Sequence, residues 1–180
     1  MYLCCKTWDL EINASKTKIV IFNKRKITEK SVFTLNNEIL NVVDDFTYLG
    51  IIFMHNGSFS KNRIKLLDQG RKAMYSMLKK CRSLGLPIDL QLKMFAPILL
   101  YGCEIWGFEN IDAIESLFLQ FYKIILGVKK STPNCILYGE LGRFPIEVFV
   151  KSRLIGMWKR LICGNQNTMS AVLYKLLYTI

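Results

Sequence analysis

Phe46-Thr47-Tyr48-Leu49-Gly50-Ile51-Ile52-Phe53-Met54-His55-Asn56-Gly57-Ser58-Phe59-Ser60-Lys61-Asn62-Arg63-Ile64-Lys65 is the stretch on which the reading of this 180-residue chain turns. Its first part, 47–53, is a short apolar run of the kind that forms β-strands. His55-Asn56-Gly57-Ser58 is a turn, and beyond Gly57 the apolar residues recur at helical spacing. Moving outward toward the N-terminus, further β-like runs lie at 19–22, 32–35 and 39–43, with Asn36-Asn37 as a turn between two of them. On the other side, helices are predicted over 60–83, 88–106, 110–128 and 145–163. Gly85-Leu86-Pro87, Gly107, Gly127 and Gly164 close them. Asn110-Ile111-Asp112 reads as a helix cap and Ser131-Thr132-Pro133-Asn134 as a loop. The fold class is therefore α+β: a small antiparallel β region at 1–57 and a helical region at 58–180, with no internal repeat and no low-complexity linker.

Half the residues, 51%, are hydrophobic, which is enough for a core and excludes a disordered chain. The 25 Lys and Arg against 14 Asp and Glu give +11, which points to a polyanionic partner. The excess is uneven. Eight basic residues against one acid give +7 over 61–82, and eight against two give +6 over 129–180, while 1–60 carries +1 and 83–128 carries −3. The cysteines, Cys4, Cys5, Cys81, Cys103, Cys135 and Cys163, are scattered, and His55 is the lone histidine, so a zinc site is not expected. Without a signal-peptide pattern, reduced thiols in an intracellular protein, nuclear or cytoplasmic rather than secreted, are the expectation. The longest apolar run, 94–103, contains Pro97 and is too short for a membrane span.

Segment 61–82 has two faces. Ile64, Leu67, Met74, Leu78 and Cys81 recur at helical spacing, while Lys61, Lys65, Lys72 and Lys79 fall within about 40° of one another on the far side at about 100° per residue. One face is built to pack, and the other either meets phosphate or is simply a solvated lysine stripe.

Four motifs decide between classes of partner. Trp8-Asp9-Leu10-Glu11-Ile12-Asn13, followed by Lys16-Thr17-Lys18 and a strand to Phe22, resembles the W-x-L-x-x-N-x-x-K-T-K stretch of non-LTR (LINE-type) retrotransposon reverse transcriptases. Phe46-Thr47-Tyr48-Leu49-Gly50 resembles that family's F-x-Y-L-G primer-grip motif. The run from Pro97 through Tyr101-Gly102-Cys103-Glu104-Ile105-Trp106-Gly107 is similar to its P-x-x-x-Y-G-x-E-x-W segment, and Tyr138-Gly139-Glu140-Leu141-Gly142-Arg143-Phe144-Pro145 to its Y-G-E-L-G-x-x-P turn. All four occur in the family's order and span nearly the whole chain.

The resemblance implies the end of a polymerase palm at 1–57, followed by a helical thumb and connector at 58–180. It places Lys16 at the palm lysine that assists charge or proton transfer near the departing pyrophosphate; the alternative is that Lys16 and Lys18 alternate outward on an edge strand and discourage edge pairing. It makes Phe46, Tyr48, Leu49 and Gly50 a short hairpin pressed against the primer end, the alternative being a plain strand with a glycine bulge. The family's Mg²⁺-binding Ala-Asp-Asp box falls before the W-x-L stretch and a third carboxylate further upstream. The expectation is a chain without its catalytic carboxylates, inactive alone, whose parent enzyme binds Mg²⁺. Asp44-Asp45 lies in the wrong order to be that box and reads as a turn between strands. His55 reads as a turn residue; Tyr101, Trp106 and Phe108 as core; Glu104 and Glu140 as partners of Arg or caps of a turn. Arg143, Lys151, Arg153, Lys159 and Arg160 form a second basic region.

The expected role is gripping a primer–template duplex of RNA and DNA without sequence preference, together with upstream palm and fingers and with no membrane partner. Two other readings stand beside it. One is a degenerate relic of such an element; the other is a basic helical module that binds a protein or an acidic membrane.

Overall fold

The switch at Gly57 is where strands give way to helices in the computed structural model of the chain, which describes residues 12–13, 15–22, 32–35, 38–163 and 168. Trp8 to Glu11, the Asn36-Asn37 turn, Cys4, Cys5 and the helix-closing Gly164 lie outside the described residues. Among the described residues five strands come first: β1 Lys18–Ile19, β2 Phe33–Leu35, β3 Glu38–Val42, β4 Asp45–Tyr48 and β5 Ile51–Met54. Six helices follow among those residues: α1 Ser60–Leu84, α2 Ile88–Leu99, α3 Cys103–Trp106, α4 Asp112–Leu126, α5 Asn134–Leu141 and α6 Ile146–Cys163. The α+β expectation holds, and two compact units result, 1–62 and 63–180, divided inside α1.

In the first unit, β1, β3 and β2 form one sheet in that order, and β4 and β5 form a separate hairpin. Antiparallel pairing holds for β2 with β3 and for β4 with β5. The expectation fails for β1, which runs parallel to β3 with Lys18 opposite Asn41. β2 already occupies one edge of β3, so β1 takes the other, and the connection from β1 to β2 is long enough for the crossover a parallel pair requires. The single run predicted at 47–53 is broken by a two-residue turn at Leu49-Gly50.

The second unit is helical. α2 buries Leu92, Phe95 and Leu99, and α4 buries Ile114, Leu117, Phe118, Phe121 and Tyr122, each at helical spacing. Phe95 lies at the centre, 5.3 Å from the Phe118 ring and 4.2 Å from that of Phe121. The helix predicted over 88–106 is two: Pro97 cannot donate to the Lys93 carbonyl, α2 stops at Leu99, and Gly102, at φ 64°, reverses the chain into α3. A helix that the sequence reading leaves as loop and turn, α5, starts at Asn134 behind Pro133. The helix does begin at 110–112, but the N-cap position falls on Ile111, which has no side-chain cap, and Asn110 Oδ1 accepts the Asp112 N–H at 2.9 Å in the turn before it.

On α1 the buried seam is Leu66, Gly70, Met74 and Cys81, whereas Ile64 is exposed. Gly70 is the closest approach. A Cβ there would lie 2.4 Å from Leu99 Cδ2 and 3.0 Å from Leu117 Cδ2, so any larger residue at 70 would have to push these two leucine side chains aside.

Candidate nucleic-acid interface

Lys16 stands in a turn rather than on a strand, and Asn13 builds that turn. Asn13 Oδ1 accepts the Lys16 N–H at 3.0 Å, and the Asn13 carbonyl accepts the Thr17 N–H at 3.0 Å and its hydroxyl at 2.8 Å. This is an Asx-type turn, built by an Asn three residues before the lysine. Lys16 is exposed, and Lys18 sits in β1 at the edge of its sheet.

The hairpin of β4 and β5 carries Phe46, Tyr48, Leu49 and Gly50. Tyr48 pairs with Ile51, leaving Leu49 and Gly50 as the loop, at φ 46° and 83°. A two-residue hairpin loop with both φ positive is the type I′ turn, which matches the strand twist and is normally made by Asn-Gly or Asp-Gly. Gly50 meets this demand freely, but Leu49 is the one positive-φ residue other than glycine among the described residues. Leu49 is 72% exposed and Tyr48 59%, so the tip presents an apolar and an aromatic side chain outward. Phe46 is half-buried opposite Phe53, and Phe53 meets Phe59 edge-on at 5.7 Å.

The start of α1 anchors this hairpin. Ile52 lies in a non-hydrogen-bonded pair position, so its N–H points away from β4 and donates instead to the buried Asn62 Oδ1 at 3.2 Å. Lys61 donates to the Asp45 carboxylate. Of the two aspartates, Asp45 thus has its carboxylate engaged by Lys61, while the Asp44 backbone carbonyl accepts the His55 N–H at 2.7 Å and faces His55 Nδ1 at 3.3 Å. His55 stands in the turn after β5, as read. Among the described residues no group of three His, Cys, Asp or Glu converges.

Along the rest of α1, Leu66, Gly70, Met74 and Cys81 lie about 120–180° around the helix from Lys72, so the lysine face is turned away from the core. Lys72 and Arg71 share Asp68 at 3.8 Å, pairs too long and too exposed to hold a lysine. Lys79 is exposed, and Lys65 is half-buried with a polar partner of its own. Arg63 belongs to the framework instead. Its guanidinium donates to the Asn110 carbonyl at 2.8 Å and pairs with Glu109 at 3.0 Å.

The two later motifs prove to be joints. Trp106 is fully buried and donates its indole N–H to the Tyr101 carbonyl at 2.8 Å. A Cβ on Gly107 would lie 2.3 Å from Val150 Cγ1, so α3 lies flat against α6. Glu104 binds Arg153 at 2.6 Å. Burial by itself would raise the Glu104 carboxyl, but the Arg153 hydrogen bond, backbone donors and the charges of Arg153 and Arg160 hold it below its ordinary value. Burial, with the Glu104 charge second, pushes the Cys103 thiol up to about 11. Tyr101 and Phe108 correct the sequence reading: both are exposed, and only Trp106 of the three enters the core. Across the molecule, Tyr138 donates its hydroxyl to Glu115 Oε1 while Oε2 accepts the Glu147 N–H at 3.2 Å, capping α6. Burial, then that hydrogen bond, raises the Tyr138 phenol. In the second basic region Arg143 pairs with Asp89 at 3.1 Å and Lys151 with Glu147 at 2.6 Å, while Lys159 and Arg160 are exposed. Glu140 is exposed as well. Gly70 escapes the sequence reading and Gly107 figures there only as the end of a helix and of a motif, although a glycine inside or just after a helical apolar pattern is itself a sign of close backbone approach.

Among the described residues no helix is long and apolar enough to cross a membrane. Over 144 residues, 76% of this chain, the sequence is 24% identical to a Drosophila melanogaster protein named probable RNA-directed DNA polymerase from transposon X-element, of which the match covers 16%. No family model and no solved structure matches the chain. The likeness supports a relationship to the reverse transcriptases of transposons.

Proposed function

We propose that this chain is the palm-end, thumb and connector part of a non-LTR retrotransposon reverse transcriptase and that it grips a primer–template duplex of RNA and DNA, the chemistry being done by carboxylates outside it. The observation that carries this reading is Leu49. An exposed leucine held at positive φ, in a turn where asparagine would be relaxed, is strain kept at a surface tip, and such strain gathers where a side chain is needed for contact. The lysines at 65, 72 and 79, facing away from the core, supply sequence-independent phosphate contacts. Lys16, exposed on its Asn13 turn, is the one residue assigned near the departing pyrophosphate.

The β1–β3–β2 sheet bears on the missing palm. Phe33, Leu35, Leu40, Val42 and Ile19 share one of its faces with a single charged residue, Glu38, yet no residue of these three strands is fully buried. A face of that composition calls for a cover, and in this reading further palm provides it. The same observation favours a second reading, a relic left without its partners; irreversible self-association of the purified chain at every salt concentration would decide for it.

Fluorescence anisotropy of a labelled RNA–DNA hybrid, titrated at several salt concentrations, tests the grip. Log affinity should fall linearly with log salt, and replacing Lys65, Lys72 and Lys79 by Gln should reduce the slope by up to about 3. Affinity indifferent to salt overturns the proposal, and stronger binding to anionic vesicles than to the hybrid would replace it with the membrane reading.

A further inference from the structure

A groove runs between α2 and α6 within the second unit. One lobe, of about 460 Å³, has Leu92, Ala96 and Leu100 as its floor and Phe144 and Phe149 on its wall. A second lobe, of about 520 Å³, shares Ala96, Leu100 and Phe149 and runs on to Tyr101 and Arg153. Both volumes suit a ligand group rather than a water molecule. Two features set this groove apart from a plain packing defect. Phe144 is 77% exposed and Phe149 is about half so, leaving two large rings on its wall open to solvent. Its first lobe carries two cations: Lys93, exposed and outside any ion pair among the described residues, and Arg143, whose acidic partner among them is the exposed Asp89, while in the second lobe Arg153 lies 5.1 Å over the Phe149 ring and is paired with Glu104.

We propose that this groove takes a single-stranded segment of nucleic acid, its unstacked bases lying on Phe144 and Phe149 and its phosphates meeting Lys93 and Arg143. Aromatic faces beside cations are the two elements of single-strand binding, stacking and backbone attraction. A duplex cannot use them, because its bases already stack on one another and turn only their edges outward. A phosphate also replaces the Asp89 carboxylate at Arg143 with little loss, since both partners of that pair are solvated. The inference rests on the proposed function only in taking nucleic acid as the ligand; it assigns single strands to this groove and duplex to the α1 lysine face.

The test uses the full chain and two probes, a short fluorescein-labelled oligothymidylate and a blunt labelled RNA–DNA hybrid. The double variant Phe144→Ala/Phe149→Ala should weaken oligothymidylate binding at least about tenfold and leave hybrid binding within about twofold. Gln at Lys65, Lys72 and Lys79 should do the reverse. Arg143→Glu, a change at a solvated side chain, should copy the phenylalanine variant, and circular dichroism verifies that all three fold. If the unaltered chain binds hybrid but not oligothymidylate, the groove assignment fails and the grip stands. If it binds oligothymidylate alone, the grip fails and the groove stands. Equal loss for both probes in the phenylalanine variant, or no loss for either, overturns the assignment.

Discussion

Replacing Leu49 by Asn separates stability from binding. An L-residue in the left-handed region costs about 1–2 kcal/mol, and Asn tolerates that region far better than Leu, so the change relieves on the order of 1 kcal/mol at φ 46°. Against this stands the apolar burial given up. Full burial of a leucine is worth about 1.5–3 kcal/mol, but Leu49 is 72% exposed, so roughly a quarter of that, less than about 0.8 kcal/mol, is lost. The net is a gain of a few tenths of a kcal/mol up to about 1, confined to the hairpin. Amide hydrogen exchange of Ile51 to Met54 should therefore slow in Leu49→Asn. Affinity for an RNA–DNA hybrid should fall about fivefold, the equivalent of about 1 kcal/mol of apolar contact at the tip. A variant whose hairpin exchanges faster refutes the strain assigned to Leu49. One that is stabilised yet binds hybrid unchanged refutes the contact.

Three further outcomes follow from the helical unit. Gly70→Ala should destabilise the fold by about 1 kcal/mol despite alanine's better helix propensity, because the new methyl meets Leu99 and Leu117, whereas Gly156→Ala, with open space around it, should stabilise by about 0.5–1 kcal/mol; paired urea titrations measure both. Glu104→Gln should cost about 0.5–1 kcal/mol at pH 7. Because the folded carboxyl titrates below 4.5, the wild-type advantage is full above that value and should disappear as pH falls through the folded one, as denaturant midpoints against pH would record. At pH 8 a thiol reagent should label Cys135 and Cys163 in the native protein. Buried Cys81 and Cys103, the latter with its thiol raised to about 11, should react only after unfolding, as mass spectrometry of quenched samples would show.

The sequence by itself determined the features that depend on residues within a few positions of one another. The turn at His55 to Ser58, the long helix after it, its lysine face, the helix start just after Asn110 and the tight turn at Gly50 all rest on local periodicity and backbone preference. What only the tertiary structure decided depends on what comes to lie opposite. Leu66 rather than Ile64 is buried on α1 because Gly70 lets α2 and α4 in on that side. The Tyr101 to Gly107 motif is a joint against α6 because Val150 and Arg153 lie across from it, and Tyr138 is a strut because Glu115 reaches both its hydroxyl and the start of α6. Helical repeat fixes which residues share a face, but burial and pairing are set by neighbours distant in sequence, and those the chain acquires only by folding.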